Sequence, residues 1–239
     1  MAPVRAARAD RVAAARRVAV IGHRGAPYEC RENTLASVGA ALEAGADAVE
    51  IDVRLTADRV PVLLHDPTLE RLWGHDRRLA SLTYAQVEEV SEGGVPTLRD
   101  ALALTAEYPH ARALIDLPDP GAARAAVTEV HASGAADRAY YCGGGRSMLA
   151  VRAADPAAEL ALSWCRTAPP RPELLARVRP RWLNYHFGLV TRDLVERAHG
   201  EGYLCAAWTT DTPRAARRLG RAGVDAVTTN RVTAVRAAL

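Results

Sequence analysis

Residues 18–37, VAVIGHRGAPYECRENTLAS, join a short run of β-branched and apolar residues to a polar loop and then to the start of an alanine-rich helical pattern. The apolar run ends abruptly on Gly22, His23, Arg24 and Gly25. Ionisable side chains are rarely buried unless they are paired or functional. The stretch therefore predicts a buried strand that ends at a functional surface and is followed by a helix, which is one unit of an α/β fold.

The same unit recurs along the chain. Between most of the β-rich runs lie amphipathic helical patterns, several of which end on glycine. The strand candidates are VAVIG (18–22), AVEIDVRLT (48–56), VPVLLH (60–65), RALIDL (112–117), AYYC (139–142), ELALSW (159–164), RWLNYH (181–186), YLCAAWTT (203–210) and AVTTN (226–230). About eight strand-helix units, with no G-x-G-x-x-G motif after the first strand, favour a closed barrel over an open doubly wound sheet. The predicted fold class is α/β, a (β/α)8 TIM barrel.

Nine strand candidates exceed the eight strands of such a barrel. The AVEIDVRLT and VPVLLH runs are separated by too few residues for the crossover of about a dozen residues that parallel strands need, so they are predicted to form a hairpin. With the turn centred on Ala57 and Asp58, antiparallel pairing is expected to set Glu50 opposite His65. The two-residue period of a strand then leaves Asp52 on the same face as Glu50.

The chain is predicted to form one domain preceded by a leader. Residues 18–239 are an ordinary length for a single barrel. Residues 67–95, after the His-Asp motif, are too few for a second domain and are expected to form a short insertion on the barrel rim. Residues 1–17 are rich in alanine and arginine but contain no continuous apolar segment, so a helical or disordered leader is expected there and not a secretory signal.

The composition argues against several classes of protein. All 31 basic residues are arginine, and 28 acids nearly balance them to a net charge of +3, whereas a nucleic-acid-binding protein would carry a concentrated basic stripe. No segment is long and apolar enough to span a membrane. Cys30, Cys142, Cys165 and Cys205 are far apart and form no C-x-x-C pair, as expected for reduced thiols in a cytoplasmic protein. The oligomeric state is left open.

Polar residues collect at the ends of the predicted strands. They are His23, Arg24, Glu50, Asp52, His65, Asp66, Asp116 and Trp208. In a (β/α)8 barrel the carboxyl ends of the strands form the functional face, so these groups are expected to converge on one mouth. Each has a structural explanation when taken alone: a histidine after a strand is usually satisfied by hydrogen bonds, and the HDPT segment could be a turn. Their combination favours an active site.

The chemistry of this combination indicates cleavage of a phosphate ester. Glu50, Asp52 and Asp116 would repel one another unless a hard divalent cation joined them, and an all-oxygen set points to Mg²⁺ or Ca²⁺. Two histidines supply an acid and a base near neutral pH. Arg24 supplies a planar fork that matches phosphate oxygens.

The motifs resemble, in order and spacing, those of the glycerophosphodiester phosphodiesterase family. They are GHRG (22–25), ENT (32–34), EIDVRLTADRVPVLLHDPTL (50–69), VPTLRDAL (95–102) and WTTDTPRAARRLGRAGVDAVTTN (208–230). The resemblance extends from about Val18 to Asn230. It implies a barrel that hydrolyses glycerophosphodiesters to glycerol 3-phosphate and an alcohol with the help of a divalent metal.

The resemblance also implies roles for individual residues. The implied roles are an acid and base pair of His23 and His65, metal ligands Glu50 and Asp52, a phosphate-holding Arg24, and Glu32 and Asn33 at the mouth. Asn33 could also cap the helix that follows it. Trp208 is included among the substrate-binding residues because it ends a strand at the expected mouth.

The sequence departs from the family pattern at residues 115–118, IDLP, where the family usually has Glu-x-Lys. Asp116 stands for the glutamate. It is one methylene shorter but can still ligate a cation, and the related sphingomyelinase D enzymes have an aspartate at a similar position. Pro118 stands for the lysine, and the chain contains no lysine at all.

Metal-dependent hydrolysis of a small glycerophosphodiester by a histidine pair is therefore the first hypothesis for function. One alternative, suggested by Asp116, is a lipid-directed phosphodiesterase of the sphingomyelinase D type, which would need apolar surface around the mouth. Another, suggested by Pro118, is a catalytically weakened barrel that binds phosphodiesters.

Overall fold

The computed structural model describes residues 17–239, so the predicted leader lies outside the described residues except for Arg17. Within this range, eight parallel strands close into a barrel with helices between them. The predicted (β/α)8 architecture is confirmed.

The strands are β1 (Ala19–His23), β2 (Ala48–Leu55), β3 (Pro61–Leu63), β4 (Thr68–Leu69), β5 (His75–Arg78), β6 (Arg112–Asp116), β7 (Ala139–Gly143), β8 (Leu160–Trp164), β9 (Trp182–His186), β10 (Leu204–Trp208) and β11 (Ala226–Thr229). The helices are α1 (Leu35–Glu43), α2 (Glu70–Trp73), α3 (Tyr84–Val90), α4 (Leu98–Ala106), α5 (Ala123–Ala132), α6 (Gly145–Ala154), α7 (Pro172–Val178), α8 (Arg192–Gly200), α9 (Pro213–Ala222) and α10 (Val232–Arg236).

The barrel runs β1, β2, β6, β7, β8, β9, β10 and β11, and it closes because β11 pairs with β1. Strand β3 lies outside this ring and pairs antiparallel with β2. None of the helices in residues 17–239 is long and apolar enough to cross a membrane.

Alternate side chains of each strand point into the barrel, and these inward residues are apolar at one end of the barrel and polar at the other. On β2, Ala48 belongs to a small apolar cluster at the base, whereas Glu50 and Asp52 line a cavity above it. On β6, Leu114 packs in the same cluster and Asp116 lies in the cavity lining. A larger apolar core lies between the strands and the surrounding helices.

The predicted hairpin is confirmed, but its expected register is wrong by one residue. Val53 pairs with Leu63, and extending this register sets Ile51, not Glu50, against His65. The turn has three residues instead of two, and its last residue, Arg59, adopts a left-handed conformation (φ 65°) that leads the chain into β3. Strand β3 also ends at Leu63, so His65 reaches the mouth from a loop.

The cap expected at the start of α1 is also different. Thr34, not Asn33, caps the helix: its hydroxyl accepts a hydrogen bond from the Ser37 amide at 3.2 Å. Asn33 is buried in a left-handed conformation (φ 56°), and its side chain bonds to Asp52 instead. The motif that resembled a cap therefore contributes to the barrel mouth.

Residues 67–95 contain β4, β5, α2 and α3 and lie beside the hairpin. They pack with β3 around a small apolar cluster, separate from the main core, whose buried members are Val62, Leu64, Leu69, Leu79, Leu82, Val87 and Val95. The insertion is thus stabilised by its own small apolar core at the rim of the barrel.

Candidate active site

A cavity of about 580 Å³ opens at the carboxyl ends of the barrel strands. The predicted site residues that line it are His23, Arg24, Glu50, Asp52, His65, Asp116 and Trp208. Glu32 and Asn33 do not line it. They bond to Arg24 and Asp52, which do, because their loop packs behind the cavity wall.

Glu50, Asp52 and Asp116 form one cluster in which each residue offers an oxygen, and these oxygens lie within 4.8 Å of one another. Burial raises the pKa of Glu50 well above its usual range, and the charges of Asp52 and Asp116 raise it further. Burial, with the charge of Asp52, raises the pKa of Asp116 to about 6. A divalent cation would relieve this repulsion, and the all-oxygen donor set suits Mg²⁺ or Ca²⁺.

Asn33 holds Asp52 in place through two hydrogen bonds. Its side-chain amide donates to Asp52 Oδ2 at 2.8 Å, and the Asp52 backbone amide donates to Asn33 Oδ1 at 3.1 Å. Both residues are buried. The two bonds fix which Asp52 oxygen remains available to a ligand.

Arg24 lies between the carboxylate cluster and the loop behind it. Its backbone amide donates to Glu50 Oε2 at 2.9 Å, and its Nη1 donates to Glu32 Oε1 at 2.8 Å. Its Nε lies 3.1 Å from Asp52 Oδ2. The guanidinium of Arg24 is therefore held in position by acids on two sides.

His23 is supported by a neutral amide. Its Nδ1 lies 2.7 Å from Asn230 Oδ1, and an amide oxygen only accepts, so the proton is on Nδ1. The Asn230 amide is oriented by Asp211, whose Oδ2 accepts from Nδ2 at 2.7 Å. Burial lowers the pKa of His23. The lowered pKa favours the neutral ring, whose unprotonated Nε2 lies 4.0 Å from Glu50 Oε2 and can accept a proton.

His65 is supported by a carboxylate. Its Nδ1 lies 2.7 Å from Asp66 Oδ1. Burial alone would raise the pKa of Asp66, but hydrogen bonds from Arg71 and His65 lower it overall. An ionised Asp66 can only accept a hydrogen bond, so it fixes a proton on His65 Nδ1.

Arg71, on α2 of the insertion, connects these two groups of residues. Its Nη2 donates to Glu32 Oε1 at 2.6 Å and its Nε donates to Asp66 Oδ2 at 2.5 Å. A continuous set of charged contacts therefore runs from Arg24 through Glu32, Arg71 and Asp66 to His65.

Arg71, Asn230 and Asp211 also contact the site residues and are not predicted from the sequence. Nothing in the sequence of the insertion indicated that Arg71 would reach the mouth. Asn230 directly follows the last strand, and residues at the carboxyl ends of barrel strands are expected at the functional face, so its position was predictable.

The opposite wall of the cavity contains Trp208, whose indole N–H donates to the Asn184 carbonyl at 3.2 Å. The Trp208 ring packs edge-on against His186 at 5.6 Å between centroids. Pro118 also lines the cavity, so no charge occupies that position.

Residues 23–234 match the model of the glycerophosphoryl diester phosphodiesterase family. Glycerophosphodiester phosphodiesterase 1 of Bos taurus is 39% identical over 114 residues, which cover 42% of this chain and 34% of the relative. The glycerophosphodiester phosphodiesterase of Caldanaerobacter subterraneus is 24% identical over 230 residues, which cover 88% of this chain and 93% of the relative. The chain spans about a third of the length of the mammalian relative it matches.

Solved structures with the same fold cover most of the chain. A phosphodiesterase from Oleispira antarctica, in complex with the product sn-glycerol-3-phosphate, superposes with a TM-score of 0.83 at 25% identity, covering 92% of this chain and 96% of that one. A glycerophosphodiester phosphodiesterase from Parabacteroides distasonis superposes with a TM-score of 0.77 at 26% identity, covering 89% and 92%.

Proposed function

This chain belongs to the glycerophosphoryl diester phosphodiesterase family, and we propose that it hydrolyses glycerophosphodiesters to glycerol 3-phosphate and an alcohol. The observation that carries the proposal is the presence of two histidines, one arginine and three carboxylates around one cavity. The product bound to the Oleispira antarctica enzyme supports the substrate class.

Glu50, Asp52 and Asp116 would hold a divalent cation, Mg²⁺ or Ca²⁺. When bound, such a cation neutralises charge on phosphate oxygens. Arg24, held by Glu32 and Asp52, would bind another phosphate oxygen.

The two histidines have different partners, and this difference supports a division of roles. His23, neutral and bonded to Asn230, takes a proton at Nε2 from the attacking hydroxyl, which is the glycerol 2-hydroxyl or a water. A new oxygen-phosphorus bond then forms as the bond to the leaving alcohol breaks. Attack by water gives glycerol 3-phosphate directly, whereas attack by the 2-hydroxyl gives a cyclic phosphate that a water molecule then opens to glycerol 3-phosphate. His65, bonded to the Asp66 carboxylate, gives its Nε2 proton to the leaving oxygen.

We also propose that residues 18–239 work as one domain, since β1 near one end of the chain pairs with β11 near the other. A cytoplasmic location is supported by the cysteines, all four of which are free thiols. The partner is a small molecule, and the balanced charge argues against nucleic acid.

The test of the proposed function is an assay of glycerol 3-phosphate release from glycerophosphocholine. We expect cleavage that EDTA abolishes and that added Mg²⁺ or Ca²⁺ restores. Cleavage that persists in EDTA would contradict the metal site. Faster cleavage of lysolipid micelles would favour the sphingomyelinase D alternative, and binding of a phosphodiester without any product would favour a binding barrel.

Replacing Arg71 by alanine is expected to lower kcat about tenfold, because small misplacements of catalytic groups cost rate steeply. The substitution removes the guanidinium that joins Glu32 to Asp66. Glu32 and Asp66 are then held less firmly, and so are their partners Arg24 and His65. The matched control is Arg99→Ala, which breaks a two-bond pair with Glu129 away from the cavity. Equal kcat values for the two variants would show that the insertion does not position the site.

A further inference from the structure

A second arginine lines the cavity with Arg24. Arg146 is the second residue of α6, which follows β7 through a run of three glycines. Its side chain is exposed and forms part of the cavity wall. Arg24 and Arg146 are the arginines that line this cavity in the described part of the chain.

The backbone that carries Arg146 is tightly packed on both sides. A Cβ at Gly143 would lie 3.1 Å from the Leu117 carbonyl oxygen, and one at Gly145 would lie 3.1 Å from the Leu174 side chain. Glycine at 143 lets the end of β7 approach Leu117 just after β6, and glycine at 145 lets the start of α6 approach α7. The position of Arg146 relative to the carboxylate strands is therefore defined, although its side chain is free.

The charge of Arg146 has no evident structural use. Among residues 17–239 it makes no hydrogen bond or ion pair, whereas Arg24 contacts both Glu32 and Asp52. In the first turn of a helix a positive side chain opposes the helix dipole, so α6 gains no stability from it. The guanidinium is available to a ligand in the cavity.

The charges that line the cavity leave a role for the positive charge of Arg146. Three carboxylates and Arg24 carry two net negative charges when ionised, which a divalent cation would cancel. A phosphodiester then brings one further negative charge, and more charge develops on its oxygens during displacement. His65 would supply a proton to the leaving oxygen, and Arg146 is the remaining arginine in the lining that can face the other phosphate oxygens.

We propose that Arg146 binds a phosphate oxygen of the substrate from the β7 side of the mouth. The inference rests on the proposed function, because it assumes that the cavity receives a phosphate group. The planar guanidinium can donate two parallel hydrogen bonds to such a group.

The experiment compares Arg146→Gln with Arg214→Gln in the full chain. Arg214 is the matched control because, like Arg146, it is an exposed arginine and the second residue of its helix, α9. Unlike Arg146, it does not line the cavity. Calorimetry would measure the affinity for glycerol 3-phosphate and for inorganic phosphate at low and high NaCl. The assay would measure kcat and KM for glycerophosphocholine.

We expect Arg146→Gln to weaken glycerol 3-phosphate binding about five- to tenfold, the range for an accessible charged hydrogen bond. Its affinity should also depend less steeply on salt, because one charge contact is gone. Arg146→Lys should recover part of the affinity. Arg214→Gln should match the wild type in both respects, and all three variants should melt at the wild-type temperature.

Binding of both phosphate probes by Arg146→Gln with wild-type affinity and salt dependence would overturn the inference. A wild-type chain that binds glycerol 3-phosphate but cleaves no diester would refute the proposed function alone, and the calorimetry would still decide the role of Arg146. A wild-type chain that binds neither probe would refute both.

Discussion

Replacing His65 or His23 by alanine is expected to reduce turnover about 10²- to 10⁴-fold, the usual cost of losing a proton-transfer group. The affinity for Mg²⁺ or Ca²⁺ should change little, since neither histidine belongs to the carboxylate cluster. Steady-state kinetics and calorimetry would measure the two effects. His131→Ala is the matched control, because His131 pairs with Asp155 at 2.9 Å on the outside of the barrel.

A substrate with a better leaving group separates the two roles. A nitrophenyl ester of glycerol phosphate expels an alcohol that needs no proton, so the acid becomes dispensable while the base does not. We expect this ester to restore much of the activity of His65→Ala and little of that of His23→Ala. The reverse pattern would exchange the roles. Activity within a few-fold of the wild type in either variant on glycerophosphocholine would exclude that histidine from catalysis.

Replacing Asp116 by asparagine is expected to weaken binding of the divalent cation by at least about tenfold, because the charge and number of oxygen ligands set the affinity for hard cations. Activity should fall accordingly and recover in part with excess metal. Calorimetry with Mg²⁺ and Ca²⁺ would measure the affinity. Asp119→Asn is the control, since Asp119 only accepts a hydrogen bond from the Gly121 amide in the next loop.

Stability without metal provides a second readout for Asp116. Its pKa is raised to about 6, so at neutral pH the carboxylate is ionised but destabilises the cation-free fold relative to the unfolded chain, in which the carboxyl has its ordinary pKa. Asparagine removes this charge, so Asp116→Asn should melt no lower than the wild type in EDTA. Asp116→Glu should be tolerated or bind metal more tightly if the shorter side chain limits reach. Wild-type metal affinity in Asp116→Asn would require the three-carboxylate site to be abandoned.

Much of the cavity lining could be predicted because it depends on two regularities. Side chains alternate along a strand, so Glu50 and Asp52 share a face, and the carboxyl ends of parallel strands meet at one mouth. These rules brought Asp116 and Trp208, which are far apart in the chain, to the same cavity. Neither rule depends on the exact lengths of the loops.

The hairpin register and the cap of α1 were predicted wrongly, and each depends on the backbone conformation of a single residue. Arg59 in the left-handed region adds one residue to the hairpin turn and shifts the register by one. Asn33 in the same region points its amide to Asp52 and leaves the cap to Thr34. Both conformations are uncommon for residues other than glycine, so local propensity does not predict them.

The sequence by itself determined the barrel, its hairpin and the set of ionisable groups at its mouth, because strand periodicity and strand-end polarity are visible in one dimension. Only the tertiary structure decided which partner each histidine has. His23 meets Asn230 because β1 and β11 close the barrel from opposite ends of the chain, and His65 meets Arg71 through Asp66 because α2 folds back over the rim. One histidine therefore has a neutral amide as its partner and the other has a carboxylate, and this difference comes from barrel closure and from the packing of the insertion.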